Sequence, residues 1–262
     1  MLVTLDLLVF MRRSQDAGLA TMPNTPKSDE RIGWELIWRH GNGHPRYGSY
    51  AAPDAAVQDW ATGLPEKGFV LDLGCGVGRH VVYLGGCGFR MAGIDISPTG
   101  IRLTQEACAD RRISFEGQVS DMTTLHWADG IFDAALSIST MHHHRREEIV
   151  RTLGQVRRVL KPGGLLLVDF PCTDTLDYRH LRERVAAGQI AEIEPDTFVD
   201  PRPDLDEMDD DFLPHHYCDE DDLRDLLRPF EIIRLRAALR PSADGAGMRG
   251  KWVASVRRPM SN

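Results

Sequence analysis

The sequence predicts a doubly wound α/β fold, a mostly parallel sheet with helices on both faces. Three observations point there. Short apolar runs recur between Phe69 and Phe170, separated by stretches of helical length and polar composition. The first run, Phe69 to Leu73, passes directly into a turn with glycine at alternate positions, in Val70-Leu71-Asp72-Leu73-Gly74-Cys75-Gly76-Val77-Gly78-Arg79-His80. The second run, Met91-Ala92-Gly93-Ile94-Asp95-Ile96-Ser97, ends in an acid roughly 20 residues further on, a spacing suited to a carboxylate that bonds ribose hydroxyls.

Each element can be justified in turn. Phe69 to Leu73 has the length and apolar content of a buried strand, and helical material resumes from Arg79 to Gly85. Glycines at such a strand-to-helix turn let the backbone bend sharply and approach a ligand where a Cβ would collide. The helix beyond the turn offers unpaired N–H groups to an anionic group. Ser97-Pro98 opens the next helix, so Asp95 has a competing role as a helix-start acid beside its ribose role. Ile113 to Val119 reads as a third strand, closed by Ser120-Asp121-Met122, where Asp121 could equally serve a turn. Phe132 to His142 is a fourth strand, buried, with Ser137 near a carboxyl end that should face the ligand. Leu160-Lys161-Pro162-Gly163-Gly164 stops a helix and turns into a fifth strand, Leu165 to Phe170.

The glycines run Gly74-x-Gly76-x-Gly78, with the third one residue earlier than in the dinucleotide fingerprint. Asp72 stands two residues before the first, where it would repel a pyrophosphate and attract an ammonium group. With this Asp-x-Gly-x-Gly-x-Gly pattern and the later motifs in order, the chain resembles the class I S-adenosylmethionine-dependent methyltransferases. The resemblance covers roughly Arg31 to Arg258 and is strongest from Val70 to Phe170. It implies a seven-stranded Rossmann-like sheet whose final strands form an antiparallel pair, here Phe230 to Leu235 and Lys251 to Val256. It implies S-adenosylmethionine as cofactor, with Asp72, Gly74, Cys75, Gly76 and Gly78 around the methionine end and Asp95 on the ribose. Ile96 would pack on adenine, Asp121 would meet the adenine amino group with Met122 beside the ring, and Ser137 would face the cofactor from strand four.

Residues 1–30 read as a mobile leader and residues 31–262 as one domain, the length suiting a single elaborated unit. The apolar Met1 to Met11 does not read as a signal peptide, because Arg12 and Arg13 come after the apolar stretch and Asp6 interrupts it. Five cysteines without a Cys-x-x-Cys pair suggest reduced thiols and a cytoplasmic protein, and no apolar run is long enough to span a bilayer. Within residues 31–60, Trp34, Ile37 and Trp38 lie at helical spacing and predict a docking helix. The glycine-rich Gly41 to Tyr50 beyond it looks like a lid, and on the resemblance Trp38 would wall the pocket and Tyr47 would bond the methionine carboxylate.

Residues 171–228 form an insert before the last two strands. From Asp174 to Asp225 it carries 18 Asp/Glu against 5 Arg/Lys, while the whole chain is only −8. Such an acidic segment could recruit a cationic acceptor or simply solvate a lid. It argues against a nucleic-acid partner, whose phosphates need a basic surface. The strand-four end Ser139-Thr140-Met141-His142 also lacks the Asn-Pro-Pro-Tyr-like motif that marks amide and base N-methylation in relatives.

The sequence therefore predicts methyl transfer to a small-molecule acceptor, the accepting atom open among O, N, S and a metalloid. The partner alternatives are a protein or RNA acceptor, or cofactor binding without turnover. His142 at the end of strand four and His216 are the candidate general bases, and Tyr217 would orient the acceptor. No metal is expected: three consecutive histidines in a helix or strand do not point at one ion, and no His-x-x-x-His pair occurs in either cluster.

Overall fold

The computed structural model describes residues 27–39, 52–65, 67–200 and 213–260. Two helices come first, α1 (Lys27–Arg39) and α2 (Ala55–Ala61). The alternating core comes next: β1 (Phe69–Leu73), α3 (Arg79–Gly86), β2 (Arg90–Asp95), α4 (Pro98–Ala109), β3 (Phe115–Val119), β4 (Phe132–Ser137), α5 (Arg146–Val159) and β5 (Leu160–Pro171). The insert holds α6 (Leu176–Ala186), β6 (Ala191–Glu194), β7 (Thr197–Val199) and β8 (His215–His216). Helix α7 (Glu220–Leu226) then leads into β9 (Glu231–Pro241) and β10 (Met248–Arg257).

The main sheet has seven strands in the order β3-β2-β1-β4-β5-β10-β9. Neighbours from β3 to β5 are parallel, and β10 runs antiparallel to both β5 and β9. This is the expected doubly wound sheet with an antiparallel closing strand. Strand order reverses between β1 and β4, where Leu71 pairs with Ala92 on one side and Ala135 on the other. A crevice opens at the carboxyl ends of strands at such a switch point.

All five residues of β1 are buried because helices cover both faces of the sheet. Alternate residues feed two cores. Leu71, Leu73, Phe132 and Ala135 pack with Ile149 and Leu153 of α5 and Leu223 of α7. Val70, Ala134 and Leu136 pack with Val57, Val81, Leu84 and Ile101 on the opposite face. Phe132 is fully buried, and truncating it to Ala should cost ~3–5 kcal/mol.

Element ends reflect their local chemistry. The side chain of Ser97 accepts the Gly100 N–H at 3.1 Å, and Pro98 occupies the first turn of α4. Glu148 accepts the Arg145 N–H at the start of α5. The strand after α5 begins earlier than expected, at Leu160, because a register shift between Phe132 and Ala134 absorbs the Lys161 to Gly164 turn. The β9–β10 hairpin is also longer than the two apolar runs suggested, since its far residues lie on an exposed arm without core periodicity.

The insert is a second small sheet, β6-β7-β8, beside α6. Among the described residues, many of its acids are engaged within the fold. Arg182 pairs with Glu192, Arg184 with Asp200 and Arg249 with Asp177, while Arg146 bridges Asp222 and Asp225. Residues 1–26 of the expected leader, residues 40–51 of the expected lid, and residues 201–212 of the insert lie outside the described residues.

Candidate functional site

The crevice at the switch point is a cleft enclosing about 910 Å³, open mouth included. Its floor is the glycine turn. Gly74, Gly76 and Gly78 all have positive φ (68°, 53° and 85°). A Cβ on Gly74 would lie 2.0 Å from Thr140 Cγ2, and one on Gly76 would lie 2.7 Å from Trp38 Cζ2. Both positions therefore require glycine for conformation and for close approach.

Asp95 ties this turn to the end of β2. Its Oδ2 accepts the Gly76 N–H at 2.8 Å and its Oδ1 accepts the Ser97 N–H at 2.9 Å. Burial pushes its pKa up to about 6, against the lowering effect of those two N–H donors and with a further upward push from Glu35. Asp72 lies under the turn, 1% exposed, with Oδ2 accepting no hydrogen bond and His80 Nδ1 3.9 Å away. Burial raises it to about 8, Arg79 opposing and Asp95 adding to the rise. His80 beside it is held neutral, its pKa lowered to about 3 by burial and by Arg79. A buried carboxyl held up by desolvation suits a site that receives positive charge.

The roof comes from α1. Ile37 is buried, and the indoles of Trp34 and Trp38 stack at 5.8 Å between centroids. Glu35 fixes the helix by accepting Ser97 Oγ–H at 2.5 Å, Thr99 Oγ1–H at 2.6 Å and Thr99 N–H at 3.0 Å at the start of α4. Burial raises the Glu35 pKa, but these bonds outweigh it and bring the group down to about 2. A carboxylate here also meets the positive end of α4.

The far wall begins where β4 ends. Ser139 has φ 56°, an unusual backbone for a non-glycine residue, and its N–H donates to Asp169 Oδ1 at 2.6 Å. Asp169, 1% exposed, pairs with Lys251 of β10 at 2.5 Å, and Lys251 also reaches Asp54 at 2.9 Å. The chain then turns, His143 N donating to Thr140 O at 3.0 Å.

Of the residues expected at the site, Trp38, Gly74, Cys75, Gly76, Asp95, Ile96, Asp121 and Met122 line the cleft. Asp121 Oδ1 also accepts the Thr123 N–H at 2.7 Å, so its turn role is present as well. Asp72, Gly78 and Ser137 stand behind the lining, and Tyr47 lies outside the described residues. The histidine expectations shift by one residue. His143 and His144 reach the cleft in place of His142, because the turn at Ser139 ends the strand early and rotates the residues after it.

His216 and Tyr217 are not at the cleft. His216 is 2% exposed and engages Thr197 Oγ1 at 2.8 Å and Asp222 Oδ2 at 2.9 Å, so both ring nitrogens are committed to joining the insert to α7. Tyr217 packs with Tyr178 and Phe198 beside a smaller cavity within the insert. Their places are set by the β7–β8 pairing, which local sequence does not reveal. Trp34, Ser139, Thr140, His143, His144 and Leu213 are lining residues that the motifs did not indicate. Their neighbourhoods were marked only in outline, by the tryptophan spacing of the docking helix, the carboxyl end of the fourth strand and the histidine triplet.

The family model described as a methyltransferase domain matches residues 70–164, the span that builds the cleft floor and the β4 wall. Residues 70–164 thus resemble a methyltransferase domain. The Bacillus subtilis protein YqeM, named as a methyltransferase without a stated acceptor, is 33% identical over 161 residues, 60% of this chain and 59% of that protein. An Arabidopsis thaliana tRNA (carboxymethyluridine(34)-5-O)-methyltransferase is 29% identical over 167 residues, 61% of this chain and 37% of its own. The chain thus spans less than two thirds of the length of either relative. Among solved structures, the Burkholderia thailandensis 1,6-didemethyltoxoflavin-N1-methyltransferase, with bound 1,6-didemethyltoxoflavin and S-adenosylhomocysteine, shares the fold of this chain. It superposes with a TM-score of 0.63 at 17% identity, covering 92% of each chain. Among the described residues, no helix is long and apolar enough to cross a membrane.

Proposed function

We propose that this chain transfers the methyl group of S-adenosylmethionine to a small-molecule acceptor held between the glycine turn and the histidine wall. The observation that carries this is one cleft lined by the glycine turn, Asp95 and Asp121 on one side and by His143 and His144 on the other. The glycine cradle and the buried carboxyls fit a ligand with an amino-acid end and a positive charge. Asp95 would accept the ribose hydroxyls while keeping the Gly76 N–H. Asp121 and Met122 would meet the adenine, and Trp38 would cover the methionine end. When bound, the cofactor supplies a methyl group on a sulfonium centre, an electrophile that needs alignment more than activation.

The residues of the far wall would do the remaining work. His143 or His144 would take a proton from a hydroxyl, thiol or protonated amine near neutral pH. Trp34, stacked edge-on to His143 at 5.1 Å, would shield that exchange from water. The acidic insert, which reaches the cleft through Leu213, disfavours a phosphate-rich acceptor and supports a small molecule over tRNA. Buried thiols at Cys75, Cys108, Cys172 and Cys218 accord with a reducing, cytoplasmic setting.

Incubating the chain with methyl-labelled S-adenosylmethionine and a fractionated metabolite extract tests the proposal. Label should move into a low-mass product with formation of S-adenosylhomocysteine. Label appearing only in tRNA or protein would replace the small-molecule reading.

A further inference from the structure

His142 and His143 leave the β4 end together, and β8 brings His215 against them from the insert. The link is direct: His216 N donates to His142 O at 2.9 Å. The His142 and His143 rings lie 4.1 Å apart between centroids, and His215 lies 4.5 Å from His143 and 5.8 Å from His142. One nitrogen from each ring falls within 4.8 Å of the others. We propose that His142, His143 and His215 form a three-imidazole site for a borderline divalent cation, zinc foremost, on the acceptor side of the cleft.

Four features support it. Three imidazoles with a remaining open position are a zinc-type donor set, and carboxylates, which would favour magnesium or calcium, are not part of it. His215 Nδ1 stands 2.9 Å from the Leu213 carbonyl oxygen, which can only accept, so Nδ1 carries the proton and ligation would pass through Nε2. Metal–nitrogen bonds of about 2.1 Å place tetrahedral ligands about 3.4 Å apart, so the rings need only a small inward rotation. His143 also lines the cleft, so the cluster borders the space where an acceptor would sit.

The second cluster of this kind, His216 with Cys218 and Asp222, differs in kind. His216 there has both nitrogens bonded, and Asp222 is tied to Arg146, which makes it an ion-pair network.

The inference rests on the proposed methyl transfer for its consequence, though not for its test. A cation at this position would occupy the His143 lone pair and leave the base role to His144. It would hold the oxygen or sulfur of a hydroxyl or thiol acceptor and lower its pKa, so that the proton passes to His144 or to solvent. The freed lone pair then forms the bond to the methyl carbon as the carbon–sulfur bond breaks, its electrons going to sulfur to leave a neutral thioether. The acceptor class is thereby narrowed to hydroxyls and thiols.

Untagged chain, stripped by chelator and dialysed, is titrated with Co²⁺ by visible absorption and with Zn²⁺ by calorimetry. The expected result is one equivalent of each, with the strong d–d bands of low-coordinate cobalt. His215→Ala and His142→Ala should weaken uptake at least tenfold, while His180→Ala, on the exposed face of α6, should leave it unchanged. Circular dichroism and S-adenosylmethionine binding, measured on the same samples, separate loss of metal from loss of fold or of the cofactor site. Should both variants unfold, the wild-type spectrum decides: weak octahedral bands or substoichiometric uptake overturn the site. Uptake that survives both substitutions in folded protein overturns it equally, whatever the cofactor does.

Discussion

The two walls of the cleft are made of different materials. On the β1–β2 side the wall is built around a backbone turn: Gly74 and Gly76 in positive φ, a strand end, and N–H groups fixed by one carboxylate. On the β4 side it is side chain: imidazoles and hydroxyls from the turn after β4, an indole from α1, and Leu213 from the insert. A backbone wall tolerates few residue types and binds the same ligand fragment wherever it occurs. A side-chain wall can be refitted without disturbing the sheet. On the proposed function, cofactor recognition would be fixed by the fold while acceptor recognition would be carried by what is added to it.

The strongest way to break this contrast is to add a side chain to the backbone wall. Gly76→Val would press a branched Cβ into Trp38 at a φ of 53°. Cofactor affinity should fall roughly 100-fold or more, about 2.7 kcal/mol, in calorimetry on folded protein. A loss below threefold would mean that the turn is not the cofactor floor.

Asp95→Ala should come next. Two buried N–H donors lose their acceptor, so the apo chain should lose about 1–3 kcal/mol in denaturant unfolding, and cofactor affinity should fall as well. Asp95→Asn, which keeps one acceptor oxygen, should lie between the two. If the affinity is unchanged while stability drops, Asp95 serves only the turn.

The comparison also predicts a pH dependence confined to the backbone wall. Asp72 at about 8 and Asp95 at about 6 are both raised above their ordinary value in the apo fold. Their acid forms therefore stabilise the apo chain fully below the ordinary carboxylate range, and that contribution is lost as pH rises through about 6 and then 8. An incoming cation favours the ionised forms, so cofactor affinity should rise, by roughly tenfold, from pH 6 to pH 8 and flatten above. Calorimetry at pH 7 in buffers of different ionisation enthalpy should show net proton release. Proton uptake would show that the carboxyls do not sense the ligand.

The smallest effect should come from Glu35→Gln, at the joint between the two walls. Its lowered pKa means that it supports α1 docking above pH 4.5, with the support lost as pH falls toward about 2. The variant should lose on the order of 1 kcal/mol and show faster amide exchange over 33–39, with little change in the sheet. Uniform exchange across the chain would indicate global loss instead.

The same division explains what could be read from residues alone. Glycine spacing, the strand-end acids and the β1–β5 order were legible because each rests on a local backbone demand at Gly74, Gly76, Asp95 and Asp121. The docking helix was legible from the spacing of Trp34, Ile37 and Trp38, although its anchor, Glu35, carried no pattern. The far wall was not legible in detail. Whether His142 or His143 faces the cleft turns on the positive φ of Ser139, a residue type that seldom announces it. The partnership of His142 with His215, and the engagement of His216 with Asp222, depend on where β8 docks, which is a long-range result of the insert's folding.

The Asp169–Lys251 pair has a consequence for the order of synthesis. Asp169 holds the Ser139 turn, yet the cation that compensates this buried carboxylate sits in β10, made after the five parallel strands. Strands β1 to β5 can assemble earlier, but until β10 slides in beside β5, Asp169 lacks the cation that compensates it. A nascent chain ending before β10 should therefore keep the β4 end open. The site would be completed only when translation reaches Lys251, so that incomplete products cannot hold the cofactor in a finished cleft.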